Sequence, residues 1–236
     1  MDIEIIAKTK NYIVINKPAG ILVHPRAGNP NDVSLVDWLT KKFPRIKKVG
    51  ENPSRPGLVH RLDREVSGLM VIARNQKSFL NLKQQFKDRK IDKYYTALVH
   101  GQISEPVGKI TFPIKRSSKG FKMAAVPTNY EATNNAKSAI TRYETLKQYN
   151  NFTLLKVKIE TGRTHQIRVH FLALDSPIVG DFLYSTKKSQ LRNKKIDLNR
   201  LFLVADKLAF TDRKGQRKEF TIGMPTELKK ALEIIK

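Results

Sequence analysis

Residues 69–73, Leu-Met-Val-Ile-Ala, form an unbroken apolar run. A strand that presents apolar side chains to both faces needs cover on both, so this run predicts an interior strand of a sheet rather than an edge. Directly before it stands His60-Arg61-Leu62-Asp63-Arg64-Glu65-Val66, a knot of charge at the mouth of that strand, with Ser67-Gly68 as a tight backbone link between the two. Read alone, a carboxylate flanked by Arg61 and Arg64 is the pattern of a solvated ion-pair turn. The alternative is a functional acid, anchored by a core strand instead of carried on a free loop.

Charge narrows the choice of partner. The chain has 45 Lys and Arg against 21 Asp and Glu, a net charge of +24. Such a field draws polyanions and makes nucleic acid the leading partner; a lysine-rich solvated surface is the plain alternative. With 236 residues, 40% of them hydrophobic, there is material for one large domain or two small ones. No apolar run approaches the roughly 18 residues of a membrane-spanning helix, and Met1-Asp2-Ile3-Glu4-Ile5 lacks the basic start of a signal peptide. The absence of cysteine excludes disulfides and thiolate metal sites, in keeping with a reducing, cytoplasmic setting.

The β-rich runs 3–7 and 12–16, separated by Lys8-Thr9-Lys10-Asn11, predict a hairpin, followed by a turn at Lys17-Pro18-Ala19-Gly20. Ser34 is placed to cap a helix that lines up Leu35, Trp38, Leu39 and Phe43 until Pro44 stops it, and residues 45–56 read as a basic loop. Asn75 is placed to cap a second helix with Phe79, Leu82 and Phe86 inward. Residues 93–101 read as a strand rich in aromatic and β-branched side chains, where a tyrosine is ordinarily core filler.

Residues 101–137 read as irregular, with a basic loop at 115–122 whose Phe121 either stacks on a base or tethers the loop. Residues 138–146 and 152–160 predict paired strands joined at Tyr149-Asn150-Asn151. Thr164 is the expected cap of a helix reaching Leu172 and Ala173, and residues 185–200 are expected to be a mobile basic loop. Strands at 201–210 and 218–222 and a helix from Pro225-Thr226 close the chain.

Residues 60–69 resemble the signature of RluA-type RNA pseudouridine synthases, His-Arg-Leu-Asp-x-x-Thr-Ser-Gly-Leu, with Val66 in place of the usual Thr. Asn16-Lys17-Pro18-x-Gly20, continued by Ile21-Leu22-Val23-His24-Pro25, is similar to the family's first motif, and Lys93-x-Tyr95-x-Ala97 to its Lys-x-Tyr motif. Thr161-Gly162-Arg163-Thr164-His165-Gln166-Ile167-Arg168-Val169-His170, with Pro177-Ile178-Val179-Gly180-Asp181 and Tyr184 after it, matches a further block nearly letter for letter. Asp175 and Ser185 stand in turns where relatives usually have Gly, and Val204 where they usually have His.

The resemblance covers nearly the whole chain. It implies an α+β fold, a mixed, largely antiparallel sheet with flanking helices and a central active-site cleft, as a single catalytic domain over residues 1–236. Because the first motif begins almost at residue 1, no appended N-terminal RNA-binding module is expected.

The resemblance further implies an RNA pseudouridine synthase with Asp63 as the catalytic carboxylate. Substrate binding then falls to Arg61, Tyr95, Ile167 and Arg168. Arg168 is the expected ion partner that keeps Asp63 charged, Tyr95 and Ile167 the walls against the base, and Arg61 the wedge that fills the vacated stack. The chemistry is an isomerisation, so no cofactor is expected. His165 and His170 have no Glu or Cys at ligand spacing and fall on different faces of a helix, so no metal site is expected either. The expected partner is ribosomal or transfer RNA, bound by a cytoplasmic monomer.

Two other classes compete. A catalytically silent, synthase-like RNA-binding protein or assembly chaperone fits the charge, but Asp63, Tyr95 and Arg168 are all present. A hydrolase acting on a sugar normally uses two carboxylates, and no second acid accompanies Asp63 in the matching motifs.

Overall fold

The expected first hairpin forms around a polar turn. In the computed structural model of the protein, which describes residues 2–25, 29, 32–118, 120, 122–126 and 135–235, β1 (Glu4–Lys8) and β2 (Tyr12–Lys17) pair antiparallel. The Thr9 hydroxyl accepts from the Asn11 and Tyr12 N–H groups at 3.1 and 3.0 Å and holds the turn. β2 pairs antiparallel with β3 (Ser67–Ala73), Val14 opposite Val71. Every residue of β3 is buried, as its unbroken apolar run requires.

The chain forms two compact units. One comprises residues 1–92 and 205–222. Its strands lie in the order β1-β2-β3-β10, and β11 (Arg217–Thr221) pairs antiparallel with residues 207–211 of β10 (Leu203–Thr211). Gly68 permits the close approach of β3 to β10: its φ is +128°, and a Cβ at this position would collide with the Ala205 backbone. α1 (Leu35–Lys42) begins at Ser34, whose N–H and hydroxyl both donate to the Asp37 carboxylate at 2.8 Å. It buries Leu35 and Leu39 and ends before Pro44, and part of the expected loop beyond is a 3₁₀ turn, Pro44–Lys48. α2 (Gln76–Lys87) is capped by Asn75, which accepts the Ser78 N–H at 3.0 Å, and turns Phe79 and Leu82 inward.

The other unit comprises residues 93–204 and 223–236. β4 (Asp92–His100), β9 (Phe152–Ile159), β8 (Thr141–Tyr149) and β5 (Val107–Ile110) follow one another in that order, each neighbouring pair antiparallel. Residues 101–137 are therefore not irregular throughout. They carry β5 and a separate hairpin of β6 (Ile114–Arg116) and β7 (Met123–Ala125), strands too short to display an alternation in the sequence.

α3 (Gln166–Ala173) rests on a small core of Ile114, Ala139, Val169 and Tyr184, with Met123 and Ala125 packed against it. Residues 185–200 are not a simple loop either: α4 (Lys187–Asn193) forms because Thr186 accepts the Ser189 N–H at 3.1 Å and the Ser189 hydroxyl accepts the Thr186 N–H at 2.9 Å. α5 (Thr226–Ile234) buries Leu228 and Ala231. Both units are built of largely antiparallel strands with few helices, the α+β class expected from the sequence.

Candidate active site

Lys17, at the end of β2, is fully buried. An ammonium taken out of water must be solvated by the protein. Its Nζ donates to the carbonyls of Pro18, Ile21 and Arg64 at 2.8, 3.0 and 3.2 Å. The Gly20 N–H reaches the same Arg64 carbonyl at 2.8 Å, and Arg64 Nε donates back to the Gly20 carbonyl at 3.0 Å. The Lys17-Pro18-Ala19-Gly20 turn thus clamps the segment that carries Asp63. A lysine at the close of a strand that opens with the apolar run Tyr12-Ile13-Val14-Ile15 is the one sequence signal of this role.

His60 secures that segment from its other end. Its Nε2 accepts the Val71 N–H at 3.0 Å, and its ring stacks on Phe86 with centroids 4.7 Å apart. Leu62 and Val66 are buried, and the Val66 N–H donates to the Asp63 carbonyl at 3.2 Å. Asp63, half-buried, is held in a turn fixed at both ends. Arg61 is exposed, with Nη1 3.2 Å from His24 Nε2. A guanidinium only donates, so His24 Nε2 accepts and its Nδ1–H is left to donate to the Pro25 carbonyl at 2.9 Å. His24 is therefore the neutral imidazole. Burial lowers its pKa, and the charges of Arg55 and Arg61 push the same way.

In the second unit, α3 is positioned by Gln166. Its Oε1 accepts the Thr161 hydroxyl at 2.6 Å and the Arg163 N–H at 3.1 Å, while Nε2 donates to the Ile140 carbonyl at 2.9 Å and to Thr141 Oγ1 at 3.0 Å. The helix cap is His165, in the left-handed region at φ 55°, and not Thr164 as expected. The tight Thr161–Gln166 closure brings the chain into the helix one residue later than the capping preference alone suggests.

Arg168 is 3% exposed. Its Nε and Nη2 donate to Asp181 Oδ2 and Oδ1 at 2.7 and 2.8 Å, a bidentate pair in which the Asp181 side chain is wholly buried. Asp181 Oδ1 also accepts the N–H groups of Leu183 and Tyr184 at 2.9 and 2.8 Å. Asp181, 13 positions beyond Arg168, is thus a positioning partner that sequence reasoning did not assign; its signal is an acid inside the same matched block. Ile167 beside Arg168 is buried.

Tyr95 is buried on β4 opposite Val157, whereas the Tyr94 ring lies under the ammonium groups of Lys156 and Lys158, 5.6 and 5.2 Å from its centroid. Strand alternation puts the two tyrosines on opposite faces. Lys93, at the start of the same strand, also went unassigned. Burial brings its pKa down to about 8, and its Nζ packs against Gly162, 3.6 Å from where a Cβ would stand.

Two further histidines, on and beside α3, lie within hydrogen-bond distance of the surrounding fold. His165 Nδ1 lies 2.7 Å from the Tyr184 hydroxyl, and His170 bridges Thr141 Oγ1 and the Phe112 carbonyl, each at 2.9 Å. Among the described residues no group of three His, Cys, Asp or Glu is placed to hold a metal. Lys187, Lys188, Lys194 and Lys195 are all exposed, while Phe121 lies outside the described residues.

A family model described as "RNA pseudouridylate synthase" matches residues 11–173, which include Asp63, Tyr95 and Arg168. The chain is similar to an "Uncharacterized RNA pseudouridine synthase" of Chloroflexus aurantiacus, 42% identical over 90% of this chain and 63% of the relative. It is also similar to "Ribosomal large subunit pseudouridine synthase D" of Borreliella burgdorferi, 37% identical over 94% of this chain and 65% of the relative. The chain thus spans somewhat less than two thirds of the length of these relatives. Among solved structures it resembles "Human RNA Pseudouridylate Synthase Domain Containing 4", with a TM-score of 0.77, 26% identity, and coverage of 98% of this chain and 92% of the other.

Proposed function

Because the chain belongs to the RNA pseudouridylate synthase family, we propose that it isomerises a uridine to pseudouridine in structured RNA, with Asp63 as the catalytic carboxylate. The observation that carries the proposal is Asp63 itself, held in a turn that Lys17 and His60 fix from both sides. A carboxylate that must act on a sugar or a ring needs a set position before substrate arrives.

The reaction breaks the bond between ribose C1′ and uracil N1, turns the base, and joins C1′ to ring carbon five. The proton lost from that carbon is balanced by one gained at N1, so no redox equivalent or external group is consumed. Asp63 reacts as the ionised carboxylate, and Arg168 is the cation that the family associates with it. Arg168 comes to this task already oriented by Asp181. Tyr95 and Ile167 supply the apolar walls against the base, and Arg61 occupies the gap that the extruded uridine leaves in the stack. Before RNA binds, the Arg61 guanidinium donates to neutral His24.

Ribosomal RNA is the favoured substrate, since two relatives carry the name ribosomal large subunit pseudouridine synthase D. The test is product analysis after incubation with ribosomal and transfer RNA: a nucleoside of unchanged mass with the retention of pseudouridine is expected. Asp63→Asn is expected to fold and bind RNA as before with no turnover. Product from the purified variant at a rate near that of the original protein would overturn the role of Asp63, and RNA binding without product by the unmodified protein would overturn the activity.

A further inference from the structure

One large apolar side chain beside the Arg168 pair is turned outward. Residues 176–181 are all buried and Tyr184 is 3% exposed, yet Phe182 is 71% exposed. Among the described residues it is the one aromatic ring in the class of exposed large hydrophobics; the others are aliphatic.

The backbone that presents this ring is fixed from behind. Asp181, next to it, takes Arg168 in a bidentate pair and accepts the N–H groups of Leu183 and Tyr184. Gly180 adopts φ +74° and passes so close to the Arg200 carbonyl that no side chain would fit. The Tyr184 hydroxyl accepts the Met123 N–H at 2.8 Å. Phe182 is therefore a rigid-based platform with only its own χ angles to order on binding, the economical way to present a stacking surface.

The choice of occupant follows from charge. The protein carries +24, and α4, which begins shortly after Phe182, exposes Lys187 and Lys188. A polyanion that also has flat apolar faces is single-stranded nucleic acid, whose unpaired bases stack on aromatic rings while cations meet the phosphates. We propose that Phe182 stacks on an unpaired base of the RNA substrate, beside the target uridine. The inference rests on the RNA pseudouridine synthase reading and adds to it a second recognition point, one that selects an unpaired neighbour without reading its identity.

The experiment uses the full chain. Trp38 is the one tryptophan, so Trp38→Phe combined with Phe182→Trp leaves a single indole at the platform. Its fluorescence should be quenched by a short single-stranded RNA and much less by a perfect RNA duplex. In the native background, Phe182→Ala should weaken binding of single-stranded RNA by roughly 5- to 150-fold. Phe182→Tyr should retain binding, and Phe182→Leu, apolar but not aromatic, should behave like the Ala variant. The salt dependence and the thermal midpoint should stay unchanged, because the ring carries no charge and covers no core.

RNA affinity of Phe182→Ala close to that of the original protein, full retention by Phe182→Leu, or equal quenching by duplex would each overturn the platform; the first is also what a protein-docking role for this ring would give. Pseudouridine production by the unmodified protein is scored separately. A stacking pattern as described without any pseudouridine would sink the enzymatic reading and leave the platform standing, while pseudouridine with no effect at Phe182 would do the reverse.

Discussion

Asp181 accepts from both Nε and Nη2 of Arg168 and from two backbone N–H groups, all in a site closed to water. Asp181→Asn keeps the shape but takes the carboxylate charge out of a buried bidentate ion pair, which typically costs about 3–5 kcal/mol. A fall of that order in unfolding free energy is expected from urea titration; a loss below about 1 kcal/mol would show that water reaches the pair.

His100 offers a second residue-scale test. Asn193 Oδ1 accepts the Gly180 N–H at 3.2 Å and lies 2.8 Å from His100 Nε2, so that ring nitrogen carries the proton. Among the described residues Nδ1 has no hydrogen-bond partner. Burial lowers the His100 pKa to about 4. The unfolded chain then binds the proton more readily, so the stability from neutral His100 is complete above about pH 6.5 and is lost as pH falls toward 4. The loss is up to about 3 kcal/mol, and the pH slope of stability over this window should be shallower in His100→Gln.

At the scale of elements, β4 displays two adjacent tyrosines with opposite surroundings. Tyr95 faces the interior and Tyr94 lies beneath two lysines. If Tyr95 lines the base pocket, Tyr95→Ala should slow single-turnover pseudouridine formation by at least about 100-fold, since loss of a positioning contact commonly costs that much. Tyr94→Ala should change it by less than about 3-fold, the effect of a surface contact of a few tenths of a kcal/mol. Rates ranked the other way would reverse the register. The same strand shows what was legible from local pattern: aromatic and β-branched residues announced a strand, and alternation separated its faces. The turn entering α3 was less legible, because the Thr161–Gln166 hydrogen bond outweighs the usual preference for Thr at the cap.

Across the whole molecule, the excess of positive charge is the term that should govern RNA affinity. Lys187, Lys188, Lys194 and Lys195 are exposed on and just after α4, a short helix that holds them in place. Each phosphate neutralised contributes about 0.7 to 0.9 to the slope of log affinity against log salt. Replacing all four lysines by Gln should flatten the slope by up to about 3 and weaken binding, while the single-turnover rate at saturating RNA changes little. An unchanged slope would assign these lysines to a solvated surface.

What the amino-acid sequence determined by itself were features written in local order: the buried β3, the first hairpin, the capped α1 and α2, and the motif blocks that mark Asp63, Tyr95 and Arg168. Periodicity and capping act between residues a few positions apart, so they can be read without coordinates. Only the tertiary structure decided that Lys17 would be solvated by the Arg64 carbonyl, 47 positions away. The same holds for Arg168 closing on Asp181 and for the three-residue strands β6 and β7 finding each other. Those outcomes depend on which distant carbonyls and carboxylates the fold brings to a buried charge, and a buried charge accepts whichever arrangement satisfies all of its donors.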